Sequence, residues 1–489
     1  MINRKIDKRL DEFFELNRRE ALLIDGARQV GKTWSIRAFG RRHFKHVIEI
    51  NFIKTQGAKA LFTGVLDETD LFVKISALTD EEMVPGETLI FFDEVQECPE
   101  IVTYIKFLVD EGSYRYVLSG SLLGVELKNL RSAPVGYLRE IKMYPLDFEE
   151  FLFALGLKRD IFEHVKSRID RFQPVDPMVH DKLKGLFRMY LVVGGMPAAV
   201  DVFVRTKNIS KVVDVQKGIL VEYRKDATKY DQRDKLKILN ALELVPEELN
   251  RPNKRFIVSE LKAGSRYERE EGTFLWLENA GIALPVRSVS DPHVPLRLSR
   301  KSNFFKLFMN DVGLLSALYM DGIQHRILSE KTDVNFGSVY ENFVAQELTA
   351  HGFRLYYFNS EEPRAEVDFL VEKDGKVLPI EVKSGKNYKT HAALDHMLSI
   401  PEYRIDQALV VSNANVTNVG PVRYLPVYSL MFMEHDGLPE DEEFSVSLPT
   451  ANDIIYPSAA HFAADGIHPE GDAPRAIAEE TARDVPRGV

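Results

Sequence analysis

The sequence has a single cysteine in 489 residues, Cys98, so no internal disulfide can form and no cysteine-rich zinc site can be built. It has no apolar run long enough to span a bilayer. The opening Met1-Ile2-Asn3-Arg4-Lys5 leads into a charged amphipathic segment rather than the apolar core of a signal peptide. These absences point to a reducing cytoplasm and to no membrane partner. Internal repeats are missing, and so are histidine clusters with metal-ligand spacing. An excess of basic residues is missing too: 64 Lys and Arg face 74 Asp and Glu, a net charge of -10 that at first sight disfavours nucleic acid. The deficit is local. Asp436 to Val489 carries twelve acids and three bases, net -9, which leaves the remainder near -1 with basic faces still open to it.

What is present begins at Leu22-Leu23-Ile24-Asp25, an apolar run that reads as a buried strand. Gly26-Ala27-Arg28-Gln29-Val30-Gly31-Lys32-Thr33 follows, then Trp34 to Phe39, which can start a helix. This is the Walker A pattern in its strand–loop–helix context. Gly26 and Gly31 let the backbone wrap a phosphate, and loop N–H groups with the helix N-terminus supply donors. Lys32 is expected to reach the β- and γ-phosphates of ATP and Thr33 to ligate Mg²⁺, with 26–34 as the nucleotide-binding segment. Thr88-Leu89-Ile90-Phe91-Phe92-Asp93-Glu94 is a second buried strand, ending in two acids. That is the Walker B arrangement, with Asp93 in the Mg²⁺ shell and Glu94 orienting or activating water. Tyr114 to Ser121 is a further strand whose end offers Ser119 or Ser121 as a γ-phosphate sensor, or simply a polar turn. Arg131 and Arg139 are candidate arginine fingers, or solvated charges.

Asp93-Glu94-Val95-Gln96, Leu118-Ser119-Gly120-Ser121-Leu122-Leu123-Gly124, Pro134-Val135-Gly136 and Tyr144 to Leu152 together resemble one family. It is the prokaryotic AAA-superfamily ATP-binding proteins whose C-terminal half is the domain DUF4143. Val193 to Val200, Leu220 to Asp226 and Phe305 to Leu315 are similar to further blocks of that family. The resemblance runs to about Tyr428.

The chain is too long for one core, and an α/β fold in several parts is expected. A P-loop parallel-sheet ATPase domain covers 1–157 and a helical lid or connector 158–232. A winged-helix-like domain follows at 233–300, then an α/β nuclease-like DUF4143 domain at 301–435. The last segment, 436–489, has the composition of a disordered acidic tail. In the winged-helix-like part Lys254, Arg255, Lys262, Arg266 and Arg269 are candidate phosphate contacts, diluted by neighbouring glutamates. Gly337 to Leu348 reads as an amphipathic helix on which Glu341 faces inward or lies at the margin. Ala365 to Val371 and Val377 to Ser384 read as two strands joined by an Asp374-Gly375 turn. Asp368 then meets Glu381 and Lys383. By spacing alone this is a cross-strand ion pair. It also resembles the PD-(D/E)xK nuclease core with Glu341 as the helix acid, which implies Asp368 and Glu381 on Mg²⁺ and Lys383 beside the attacking water.

Three functions are open on the sequence: an ATPase that couples hydrolysis to DNA handling, a nucleotide-gated Mg²⁺-dependent nuclease, and a nucleotide switch that binds a protein partner without turnover. The resemblance to AAA-superfamily ATPases, many of which form rings, makes a homo-oligomer one expectation; with no arginine finger assigned, a monomer or dimer stays open.

Overall fold

A computed structural model describes residues 2–16, 19–65, 67–121, 136–229, 232–261, 266–319, 322–329, 336–360 and 365–435. Arg131, Lys262 and the acidic tail lie outside the described residues. Helix α1 (Lys5–Leu16) buries Ile6, Leu10 and Phe13 on one face. The first sheet contains β1 (Ala21–Asp25), β2 (His46–Asn51), β3 (Thr88–Asp93), β4 (Arg115–Gly120) and β5 (Leu138–Lys142), ordered β2-β3-β4-β1-β5. Every pairing is parallel. β1 and β3 are buried along their whole length, which is why they read as continuous apolar runs rather than as alternating strands. Helices α2 (Lys32–His43), α3 (Glu68–Ser76) and α4 (Glu100–Glu111) belong to this domain. The Asp67 side chain caps α3 by accepting from the Asp70 N–H at 2.9 Å.

Helix α5 (Phe148–Ala154) starts in a capping box between Asp147 and Glu150. The connector that follows is helical, as expected: α6 (Arg159–Asp170), α7 (Pro177–Val193), α8 (Pro197–Thr206) and α9 (Ile209–Lys229), with α7 and α8 separated at Gly194-Gly195. Then come α10 (Gln232–Asn250), a single 3-10 turn at Val258–Glu260, and α11 (Tyr267–Asn279).

The second sheet corrects a boundary. Its order is β12-β13-β11-β10-β9-β8-β6-β7, from β6 (Ala283–Val289), β7 (Arg300–Met309), β8 (Tyr356–Ser360), β9 (Ala365–Lys373), β10 (Lys376–Val382), β11 (Ala408–Ser412), β12 (Thr417–Val419) and β13 (Val422–Pro426). A division at 300 and 301 would cut the β6–β7 hairpin at its second strand. β6 also pairs in parallel with β8, so the hairpin is built into the large sheet and does not stand as a free wing. Helices α12 (Val312–Leu318), α13 (Ile323–Leu328), α14 (Gly337–Ala350) and α15 (Ala392–Leu398) complete this half. One apolar core runs without a break from Ile6, Leu22 and Phe39 through Phe148, Phe187 and Tyr190 to Phe343 and Phe432. The ATPase sheet and the C-terminal sheet therefore share a single interior.

Candidate functional site

The turn between β1 and α2 has the expected geometry. Gly26 and Gly31 lie at φ 156° and 101°, and a Cβ on Gly26 would run into the Met143 carbonyl. Lys32 is buried, with Nζ donating to the carbonyls of Gly26 and Ala27 at 2.8 Å each. Burial pushes its pKa down to about 8 against the opposing pull of Asp25, Glu94 and Asp93. Thr33 Oγ1 lies 3.1 Å from Asp93 Oδ2 and 3.3 Å from Oδ1, so the Walker A hydroxyl and the Walker B carboxylate meet. A hydroxyl and a carboxylate this close, at the mouth of a phosphate loop, fit Mg²⁺, which keeps waters and takes one or two protein ligands.

Asp93 is aimed by two more donors: Asn51 Nδ2 at 3.0 Å and the Ser119 hydroxyl. Glu94 sits at a left-handed φ of 59°, a conformation that costs free energy for a residue with a side chain. Its carboxylate accepts from Gln96 Nε2 at 2.5 Å, and Gln96 Oε1 accepts from the Ser121 N–H at 3.2 Å. Of the two serine candidates, then, Ser119 holds the Asp93 carboxylate and Ser121 steadies the residue that holds Glu94. Arg139 lies elsewhere. It pairs in register with Leu22 and sits 3.8 Å from Glu20, three residues before the loop end of β1.

Three residues at this site escaped sequence reading. Asn51 ends β2 directly beside Asp93, and a polar residue closing an apolar strand was its only signal. Gln96 was visible only as a neighbour of the Walker B acids. Arg4, buried, donates to Val30 O at 2.9 Å and Tyr144 O at 2.8 Å and pairs with Glu150 at 3.0 Å. It clamps the phosphate loop to the start of α5. The loop is also tied to the connector, since the Arg28 guanidinium lies 3.0 Å from Asp226 and 3.5 Å from Glu222 on α9.

Trp34 follows Thr33 and is 40% exposed, whereas Trp276 is buried. Its fluorescence is expected to report ATP binding. Apparent affinity should be flat below pH 8 as far as Lys32 is concerned. Above pH 8 it should weaken toward tenfold per pH unit, because the phosphates bind the ammonium and binding must then take up a proton. A flat titration from pH 7 to 9.5 would contradict the placement of Lys32.

The second constellation lies in the C-terminal half. Glu341, Asp368, Glu381 and Lys383 line one cavity of about 720 Å³. Glu341 is buried on α14, so the inward reading of this acid holds. Lys383 Nζ bonds Glu381 Oε1 at 2.8 Å, and Asp368 Oδ2 accepts from the Val382 N–H at 2.9 Å. Burial and the neighbouring Asp368 push Glu381 up to about 8, with Lys383 opposing.

Cations packed against these acids bear on the metal assignment. Lys306, fully buried on β7, lies 2.6 Å from Glu366 and 3.8 Å from both Glu341 and Asp368. Lys254, read from sequence as a phosphate contact, pairs with Glu341 instead. The acids do not close on one point. Among the described residues, only Asp147, Glu347 and His351 bring three such ligand atoms within 4.8 Å of one another, and Lys5 Nζ stands there at 2.6 Å from Asp147. Asp368 and Glu381 thus sit in an acid cluster that Lys254, Lys306 and Lys383 neutralise in part. Lys306 had a signal: one charge inside the run Phe304-Phe305-Lys306-Leu307-Phe308-Met309 requires an internal partner.

Comparisons with known proteins support an AAA domain at the N-terminal end and DUF4143 at the C-terminal end. An AAA domain model (AAA_14) matches residues 18–152. Two domains of unknown function follow, DUF8612 at 184–325 and DUF4143 at 336–427. DUF4143 is thus narrower than the whole C-terminal half, and the blocks at 193–200, 220–226 and 305–315 fall within the DUF8612 match. The uncharacterized protein MJ1637 of Methanocaldococcus jannaschii is 22% identical over 395 residues, 78% of this chain and 79% of that protein. The Walker-type ATPase PABY2304 of Pyrococcus abyssi is 16% identical, with a TM-score of 0.41 over 65% of this chain and 96% of that one. The Aeropyrum pernix Orc1 protein, solved in complex with DNA, is 16% identical with a TM-score of 0.30 over 67% of this chain and 94% of that one. Among the described residues no helix is long and apolar enough to cross a membrane. The chain carries a P-loop ATPase domain of the AAA_14 type at its N-terminal end and a DUF4143 domain toward its C-terminal end.

Proposed function

We propose that this protein hydrolyses ATP with Mg²⁺ and uses the cycle to handle DNA through its C-terminal half. The observation that carries the ATPase reading is the meeting of Thr33, Asp93 and a separately held Glu94 around the loop that buries Lys32. Thr33 and Asp93 would hold Mg²⁺, which would neutralise charge on the transferring phosphoryl group. Lys32 binds the phosphates, Asn51 and Ser119 fix the Asp93 carboxylate, and Glu94 takes or orients the proton of the attacking water. Asp226, Glu222 and Arg28 give the loop a direct handle on the connector. For DNA, the support is the surface around the 252–255 segment. Arg255 stacks on Phe304, with 3.5 Å between guanidinium carbon and ring centroid, and Arg266 is exposed beside it.

The test is ATP hydrolysis with and without single-stranded, duplex and branched DNA, repeated with Arg255→Ala/Arg266→Ala. Stimulation of several-fold by one of these shapes, lost in the double variant, is the expected result. Hydrolysis indifferent to every DNA would reject DNA coupling and favour a protein partner. Cleavage by a nucleotide-gated nuclease is the weaker reading, because Lys306 stands among the acids that would have to hold the metal.

A further inference from the structure

A second cavity, of about 620 Å³, lies on the outer side of the phosphate loop, where Asp25, Gly26, Ala27 and Lys142 face residues of the C-terminal sheet. Its far wall carries Arg297, Arg300 and Arg354. All three are exposed, and among the described residues none has an ion-pair partner. The fourth arginine of this wall, Arg287, is already matched with Glu278 at 2.9 Å. The three free charges act together on the Tyr356 phenol, alongside Glu372, and Glu372 is held by the Leu296 N–H at 2.6 Å. Gathering three unpaired guanidinium groups around one concavity is electrostatically unfavourable unless an anion joins them. Asp25, which also lines the cavity, is buried, yet its Oδ1 has no hydrogen-bond partner. A buried orphan acceptor destabilises the fold unless a donor reaches it.

We infer that this cavity binds a small phosphorylated ligand of the nucleotide class, phosphates on Arg297, Arg300 and Arg354 and a hydroxyl or amino donor on Asp25. The volume is that of a small-ligand pocket. The opposite charge preferences of the arginines and Asp25 select a molecule with an anionic group and a donor group, and disfavour a uniform polyanion. The occupant would rest against Gly26 and Ala27, the residues whose carbonyls hold the Lys32 ammonium, and would therefore bias events at the ATP site.

The experiment is calorimetric titration of the full chain with ADP, and separately with inorganic tripolyphosphate. Wild-type protein is expected to bind two equivalents of ADP. Lys32→Ala should keep one, Arg300→Gln/Arg354→Gln should keep the other, and the combined variant should keep none. The equivalent retained at the phosphate loop shows that the arginine variant is folded. Tripolyphosphate should bind the arginine site in Lys32→Ala at least tenfold more weakly than ADP, since it offers no donor to Asp25. Two equivalents persisting in Arg300→Gln/Arg354→Gln would overturn the inference, as would a single equivalent in wild type that Lys32→Ala abolishes. Two equivalents persisting in Lys32→Ala would overturn the assignment of the phosphate loop instead. A twelve-nucleotide single strand that displaces ADP from Lys32→Ala in an arginine-dependent way would identify a nucleic-acid backbone as the occupant and reject the small ligand.

Discussion

Glu94→Gln is expected to bind Mg²⁺·ATP with near wild-type affinity while its hydrolysis rate falls by about 10²–10⁴-fold, the usual contribution of a positioned general base. The reasoning rests on two separate anchorings. On the proposed function, phosphate and metal affinity would come from Lys32, Thr33 and Asp93, and Asp93 is fixed by Asn51 and Ser119. Glu94 is fixed independently, by its own left-handed backbone and by Gln96. Glutamine keeps the shape and the bond to Gln96 but cannot accept the proton. Lys32→Ala should do the reverse and remove binding itself. Gln96→Ala should fall between the two, with affinity kept and rate reduced by less than in Glu94→Gln, because Gln96 positions the acid without touching substrate. Single-turnover hydrolysis with binding followed at Trp34 separates these cases. Unchanged turnover in Glu94→Gln, with nucleotide bound, would show that the acid is idle and would favour a switch that operates without hydrolysis.

Lys306→Met should destabilise the protein by about 3–5 kcal/mol, the cost of removing one partner from a buried ionic cluster. The substitution fills nearly the same volume but leaves Glu341, Glu366 and Asp368 without their shared cation. Its pH dependence has a definite sign. Glu341 is held above the ordinary carboxylate range by burial and by Asp368, with Lys254 and Lys306 opposing, and losing Lys306 raises it further. A carboxyl whose folded pKa exceeds its unfolded pKa destabilises the fold once pH rises past the unfolded value. The deficit should therefore be small at pH 5 and grow toward pH 8, the direction also set by Glu381 near 8. Thermal unfolding at the two pH values measures it, and equal midpoints for variant and wild type at pH 8 would refute the role given to Lys306. Removing the lysine also frees acid oxygens, so millimolar Mg²⁺ should raise the midpoint of Lys306→Met more than that of wild type.

Much of the ATP site could be read in the chain because its parts are local. A strand, six loop residues and a helix start are contiguous, and the acid pair closes its own strand. The hairpin of β9 and β10 was equally legible, since Asp374-Gly375 names the turn and alternation places Asp368, Glu381 and Lys383. What escaped depends on which elements lie side by side. Asn51 supports Asp93 only because β2 pairs with β3, and nothing in either segment states that order. Arg4 reaches Glu150 across 146 positions of chain. β8 and β7 were not expected as strands, and the boundary placed at 300 failed because helix–helix–strand patterning does not reveal that β6 is shared with a larger sheet. The nuclease-like site shows the same limit from the other side. Its four residues do gather, but the charge around them also depends on a lysine brought in from β7.

The unbroken apolar interior described above also bears on how such a chain can be inherited. Where modules are joined by a polar linker, recombination can cut between them and leave two closed surfaces. Here a breakpoint between the end of α7 and the start of α14 would bare Phe148, Phe151 and Tyr190 on one product and Phe343 on the other, since these rings pack edge to face against one another. Either fragment would present a sticky aromatic surface to its surroundings. Selection therefore acts on the phosphate loop and the distant acid cavity as one heritable piece, and neither is readily lent to another gene without the other.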